Sequence, residues 1–233
     1  MASVIYNREV DKNYFLMKVD EISNVEPGQF YMLRAWDNYP TLSRPISVFD
    51  VQEDGILFLY EVRGIGTKLL SKLRENDEIK LFGPYGNHFC YKNKREISLV
   101  SGGVGAAPFY YLSKCLKRYN ESVKIDLYIG ERENQNLEML FKDLDVNLKV
   151  KKGGFITDIL EYDKKLIYTC GPEIMMRKVF EYGNENNCEV YMSLENRMGC
   201  GVGACLSCVC KTKDGNKRAC KEGPVFFGGD LVE

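Results

Sequence analysis

The stretch ISLVSGGVGAAPFYYL, residues 97–112, decides the fold. Five apolar or small residues lead into Gly102, Gly103 and Gly105. After these Pro108 opens a run with helical spacing of Phe109, Leu112 and Leu116. That order describes a buried strand, a glycine turn and an amphipathic helix with proline in its first turn. The cadence continues downstream. VKIDLYIG, VNLKV and KLIYTCG read as strands, while NLEMLFKDL, TDILEY and PEIMMRKVFEYGNEN read as helices, the last with Pro172 near its first turn. Alternation of this kind predicts a parallel sheet covered on both faces.

Such a sheet binds ligands beyond the carboxyl ends of its strands, and a helix amino terminus there offers free N–H groups to a pyrophosphate. The 102–105 turn lacks the full G-x-G-x-x-G spacing, and short glycine turns are common. A second turn, Cys170-Gly171-Pro172, at another strand end strengthens the nucleotide reading. The alternative for Cys170 is a buried thiol in a βα turn. No histidine lies near it in sequence to ionise it, so shaping a nicotinamide site at the crevice mouth suits it better than nucleophilic attack. After IDLYIG, Glu131 suits the ribose hydroxyls of NAD, and Arg132 would suit a 2′-phosphate. Asp158 fits helix capping.

Upstream, YFLMKVD, GQFYMLRA, RPISVFDV, GILFLYEV and DEIKLFG are short aromatic and β-branched runs punctuated by Gly, Asp, Asn and Pro. They predict an antiparallel barrel or sandwich. TKLLSKLREN interrupts them as a helix, with Thr67 as its N-cap. Arg44 offers a bidentate partner for phosphate, Ser47 a hydrogen bond, and Gly64 and Gly66 close backbone approach. The same residues also read as a surface arginine and a loop. His88 reads as a loop residue, and YKNKRE as a solvated linker.

Downstream, EVYMSLE is an extended run into GCGVGACLSCVCKTKDGNKRAC, residues 199–220, which holds five of nine cysteines. Cys200, Cys205, Cys208 and Cys220 follow the C-x4-C-x2-C order with a distant fourth ligand, that of a plant-type [2Fe–2S] site. Gly199, Gly201 and Gly203 would let backbone N–H groups turn toward the sulfurs. With His88 the only histidine, a Cys2His2 zinc site is excluded, and a zinc-binding interaction module of cysteines alone is the rival. Alternation from Cys208 puts Cys210 on the same face, as a substitute ligand or a small buried filler.

Charge is balanced, 32 basic against 33 acidic residues, so nothing points to nucleic acid. The charged amino terminus lacks the apolar core of a secretion signal, which makes the cytoplasm the expected address. Disulfides are disfavoured there. The resulting fold class is multi-domain β plus α/β: a barrel over 1–92, a parallel-sheet domain over 93–188 and a small cluster domain over 189–233.

Arg44-Pro45-Ile46-Ser47, Gly64-x-Gly66-Thr67, Gly102-Gly103-x-Gly105-x-x-Pro108 and Cys170-Gly171-Pro172, in this order, resemble the ferredoxin–NADP reductase superfamily. The tail SLENRMGCGVGACLSCVCKTKDG…RACKEGPVF looks like that of the electron-transfer subunits of type B dihydroorotate dehydrogenase. The resemblance covers essentially the whole chain. It implies FAD lined by Arg44, Pro45, Ile46, Ser47, Leu59, Tyr60, Glu61, Gly66 and Thr67. It implies NAD at the glycine and Cys-Gly-Pro turns, and a [2Fe–2S] cluster on Cys200, Cys205, Cys208 and Cys220. It also implies an FMN-containing dihydroorotate dehydrogenase catalytic subunit as partner, in a heterotetramer. Related flavin and iron–sulfur subunits serve ferredoxin:NADP+ transhydrogenases and sulfide dehydrogenases, which is the alternative. One departure stands out. Glu61 follows Tyr60 where the family usually has a basic residue, which leaves a backbone contact there and Arg63 to supply the charge. The Cys208–Cys220 excursion is also short, which trims a surface hairpin.

Overall fold

The computed structural model describes residues 1–232. Six antiparallel strands close a barrel: β1 (Ala2–Asp11), β2 (Tyr14–Val19), β3 (Phe30–Arg34), β4 (Arg44–Gln52), β5 (Gly55–Glu61) and β6 (Glu78–Tyr85). Their order around it is β1-β2-β5-β4-β3-β6. Closure removes the unpaired edges an open sheet would present. Inside pack Val4, Met17, Tyr31, Val48, Ile56, Phe58 and Tyr60. The first strand escapes the sequence reading because Arg8, Glu9 and Asp11 interrupt its apolar pattern. It is held by pairing with β2 through a tight turn in which Asn13 takes φ +65°, a conformation asparagine tolerates.

Helix α1 (Ile65–Leu70) follows β5. Its N-cap is Gly64, and the expected cap Thr67 lies three residues in. The Thr67 Oγ1 accepts the backbone N–H groups of Arg63 at 3.0 Å and Gly64 at 3.2 Å. Thr67 therefore reaches back to close the helix start, as the far half of a capping box does.

The α/β part adds β7 (Glu96–Gly102), α2 (Ala107–Tyr119), β8 (Lys124–Glu131), β9 (Asn147–Lys152), β10 (Leu166–Cys170), α3 (Glu173–Glu185) and β11 (Glu189–Ser193). Two segments expected as helices are only 3-10 turns, Leu137–Phe141 and Ile156–Asp158. Their apolar residues Leu137, Phe141 and Ile156 are spent plugging gaps beside the sheet. Pro172 stands at the N-cap of α3.

β12 (Val209–Thr212) and β13 (Gly215–Arg218) form the short hairpin between the last two cluster cysteines, and β14 (Val225–Phe227) returns to the sheet. The sheet order is β14-β11-β10-β7-β8-β9, parallel except at β14. Glu189–Ser193, read as the approach to the tail, thus pairs in parallel with Leu166–Cys170. Among the described residues no helix is long and apolar enough to cross a membrane.

The barrel and the sheet are joined by buried chemistry. Helix α2 lies against β4, where the Lys114 Nζ meets the buried Asp50 carboxylate at 2.7 Å. The Tyr111 hydroxyl donates to the Val25 carbonyl at 3.1 Å. Phe89, Phe109 and Tyr168 stack across the junction.

Candidate functional site

A cavity of about 260 Å³ opens where barrel, sheet and tail meet. From the barrel its wall takes Arg44, Pro45, Ile46 and Ser47 at the start of β4, Leu59, Tyr60 and Glu61 at the end of β5, and Arg63 and Thr67. All but Arg63 were singled out in the sequence as flavin-lining residues, and the adjacent strands β4 and β5 bring them together. Gly66 completes the cradle. A Cβ there would fall 2.4 Å from Arg44 Nε, so only glycine lets the guanidinium lie across the helix start. Gly64 has nothing within 4 Å of such a Cβ, so close approach does not explain it. The Arg44 guanidinium also stacks 5.5 Å from the Trp36 ring. A cationic side chain, a flat backbone approach and an apolar slot suit a dinucleotide flavin.

The sheet sets the two glycine turns side by side, but only Val104, Ala107 and Cys170 reach this cavity, while Gly171 and Pro172 line a neighbouring one. β7 and β10 are neighbours, with Ser101 opposite Cys170. Gly103 takes φ +55° and Gly171 φ +142°, conformations that favour glycine. Val104, Ala107 and Cys170 line the cavity from this side. Pro108 is buried in the first turn of α2. Cys170 sits inside, 2% exposed, and does not stand at the crevice mouth. Burial, and after it the Glu195 carboxylate, pushes its thiol far above the usual range. Such a group stays neutral, which suits shaping the site and removes it as a nucleophile.

The tail supplies residues that sequence reading missed: Ser193, Leu194, Glu195, Asn196, Met198 and Pro224. Glu195 keeps solvent-accessible surface, part of which lines the cavity. Surrounding protein desolvates it and raises its carboxyl above the ordinary value, with Arg63 pulling the other way. Its position at the end of the fifth parallel strand was the available signal.

Glu131 corrects an expectation. Its side chain is fully buried, and Oε1 accepts the Glu138 backbone N–H at 2.7 Å, so it props the 137–141 turn and offers nothing to a ribose. Burial first, then Glu138, pushes it up to about 7. Arg132 remains exposed and lies 3.8 Å from Glu61. His88 is an exposed loop residue, as read.

The cysteine loop packs on the barrel. Cys208 and Cys220 share one apolar cluster with Phe30, Met32 and Ala219, and Phe30 also lines the cavity. Gly201 takes φ +75° and Gly203 φ +81°. Backbone N–H groups of Gly203 and Cys205 point at the Cys220 and Cys200 sulfurs, at 3.1 and 3.4 Å. Gly199 has ordinary φ and instead donates to Ser207 Oγ at 3.0 Å. Among the described residues no three of the sulfurs lie within 4.8 Å of one another. Cys200 lies beside Cys205 and Cys208 beside Cys220, and the four follow the ligand order of a [2Fe–2S] centre. Hydrogen bonds from Ser207 and then Cys200 pull Cys205 down to about 6, whereas burial and Cys208 push Cys220 up to about 12. Cys210 is on the hairpin with Sγ toward the Lys217 carbonyl at 3.6 Å, outside both pairs.

Comparison with known proteins agrees with this geometry. The family pattern for the iron-sulfur cluster binding domain of dihydroorotate dehydrogenase B matches residues 195–232. The dihydroorotate dehydrogenase B (NAD(+)) electron transfer subunit of Clostridium acetobutylicum is 45% identical over 100% of this chain and 96% of its own length. Its counterpart from Clostridium perfringens is 42% identical over 95% and 93%. The chain belongs to the dihydroorotate dehydrogenase B electron transfer subunit family. Among solved structures, a chain of the NADH-dependent reduced ferredoxin-NADP oxidoreductase superposes with TM-score 0.89, at 26% identity, covering 100% of this chain and 90% of that one. The ferredoxin reductase in carbazole 1,9a-dioxygenase shares the fold, with TM-score 0.70 at 19% identity over 82% and 67%. For this member of the dihydroorotate dehydrogenase B electron transfer subunit family, FAD, a [2Fe–2S] cluster and NAD are the cofactors.

Proposed function

We propose that this chain passes electrons from the FMN of a dihydroorotate dehydrogenase catalytic subunit to NAD+, in the cytoplasm, within a heterotetramer. The observation that carries this reading is the apolar cluster shared by Cys208, Cys220 and Phe30, because it joins the cysteine loop directly to the wall of the flavin cavity. When bound, the flavin exchanges a hydride with the nicotinamide and single electrons with the cluster, which neither partner alone can do.

The protein's residues bind and orient. Arg44, Pro45, Ile46, Ser47, Leu59, Tyr60, Glu61, Gly66 and Thr67 hold FAD between β4, β5 and α1. Gly102, Gly103, Gly105, Pro108, Cys170, Gly171 and Pro172 would hold NAD, the glycine turns supplying backbone N–H donors for an anion. Cys200, Cys205, Cys208 and Cys220 hold the cluster, and the apolar Met32–Tyr85 edge of the barrel seats Gly201 and keeps water from one side of it. Cys170, neutral and buried, and Glu195, its carboxyl raised by desolvation, line the cavity together. The barrel unit 1–92 serves the flavin and 93–188 the nucleotide. The cluster unit 189–233 lends β11 and β14 to the sheet.

No base for dihydroorotate is needed here. The isolated chain is expected to oxidise NADH with an artificial dye and leave dihydroorotate untouched. Dihydroorotate turnover by the purified chain contradicts the assignment. Copurification with a partner that lacks dihydroorotate activity would favour a transhydrogenase, the role suggested by the 26% identical structural relative.

A further inference from the structure

Glu61 ends β5 on the wall of the flavin cavity, at the position where the family resemblance calls for a basic residue. Its side chain is only 8% exposed and meets Arg63 Nε at 2.5 Å and Arg132 Nη1 at 3.8 Å. The two guanidiniums are the accessible members, 62% and 75% exposed. The acid is therefore sunk into the wall with two cations in front of it. A buried carboxylate is tolerated when paired in this way. Arg63 lines the cavity, and its backbone is pinned as well, since its N–H donates to Thr67 Oγ1 at 3.0 Å. Arg132 comes from the loop after β8, so Glu61 also ties the barrel to the sheet domain.

We infer that Glu61 is a positioning residue: it orients the Arg63 guanidinium, with Arg132 beside it, toward the diphosphate of FAD. The carboxylate thus does indirectly what a basic side chain at that position does directly. A long arginine side chain loses rotamer freedom when it grips a phosphate, and a partner that holds it beforehand reduces that loss. Two guanidiniums against one carboxylate leave the group net cationic. This inference rests on the cavity being the FAD site.

The sign of the effect makes the idea testable. If Glu61 merely faced the diphosphate with its backbone, removing its charge would relieve repulsion and tighten FAD. If it positions Arg63, removing its charge weakens FAD. The experiment strips FAD from the full-length protein, returns it, and measures Kd by quenching of flavin fluorescence; cluster absorbance and circular dichroism report the fold. Glu61→Gln is expected to bind FAD about tenfold more weakly, the scale of one charge-assisted hydrogen bond. Arg63→Gln is expected to lose as much, and the double variant no more than Arg63→Gln alone. Unchanged or tighter FAD binding in Glu61→Gln overturns the inference, as do independent, additive losses in the double variant. Arg63→Gln changes an exposed side chain, so its unchanged affinity overturns the inference even if Glu61→Gln fails to fold. A parent protein that takes up no FAD overturns the cavity reading itself, a result separate from a parent that binds FAD and a variant that binds it equally well.

Discussion

Gly105 rests on Cys170: a Cβ on Gly105 would stand 2.4 Å from the Cys170 carbonyl oxygen and 2.7 Å from the Gly171 Cα. The obstacle is backbone, which cannot swing aside as a side chain does. Gly105→Ala must push the two glycine turns apart. The expected result is a loss of about 1–3 kcal/mol of stability, the range for overpacking, together with a raised KM for NADH and unchanged FAD content. Thermal unfolding and NADH:dye kinetics check both.

Asn87 clips the tail to the barrel. Its Nδ2 donates to the Glu222 and Val225 carbonyls at 2.9 and 2.7 Å, and its Oδ1 accepts the Val225 N–H at 2.9 Å. Asn87→Ala removes all three bonds, which at roughly 1 kcal/mol each destabilises by about 2–4 kcal/mol. Because the clip holds the cluster unit, cluster absorbance should bleach at a lower temperature than far-ultraviolet ellipticity is lost. Coincident transitions would count against a local clip.

Glu131 makes a pH-dependent contribution. Burial raises the Glu131 carboxyl to about 7 in the fold, against ~4.3 unfolded. A group that binds its proton more tightly when folded stabilises fully below the unfolded value, and that contribution is withdrawn as pH rises through about 7. Stability should therefore fall between about pH 4.5 and pH 7.5. Glu131→Gln should flatten that slope, read from urea midpoints across the range.

The fifth thiol separates ligand from bystander. Cys208→Ser and Cys220→Ser should lose the cluster, because both sulfurs are buried in the pair packed on Phe30 and Met32. Cys210→Ser should keep iron and sulfide at parent levels, since its Sγ faces the Lys217 carbonyl on the hairpin. Iron and acid-labile sulfide analysis decides.

Residues that act through their own chemistry were legible in the sequence. The four cysteines, Arg44 with Ser47, and the 102–105 and 170–172 turns all carry local signatures; the fold sets Arg44 and Ser47 in one cavity wall and the two turns on neighbouring strands. Residues that matter through long-range packing were not. β1 is interrupted by Arg8, Glu9 and Asp11 and exists because β2 and β6 pair with it. Leu137–Phe141 looks helical but is bent into a 3-10 turn that buries two apolar side chains. Asn87 acts on residues more than a hundred positions away, and Glu131 turns inward because Glu138 and Lys152 lie there. Glu195 and Asn196 enter the cavity only because β11 is the fifth strand of the sheet.

The most direct measurement is a dithionite titration of the anaerobically purified chain, followed by visible absorbance and electron paramagnetic resonance. Flavin and cluster held by one protein should together take up three electrons per chain, two at the flavin and one at the cluster. The last species formed should carry the paramagnetic signature of a reduced [2Fe–2S] centre. Uptake of only two electrons, with no such signal in protein that retains its flavin, would contradict the account.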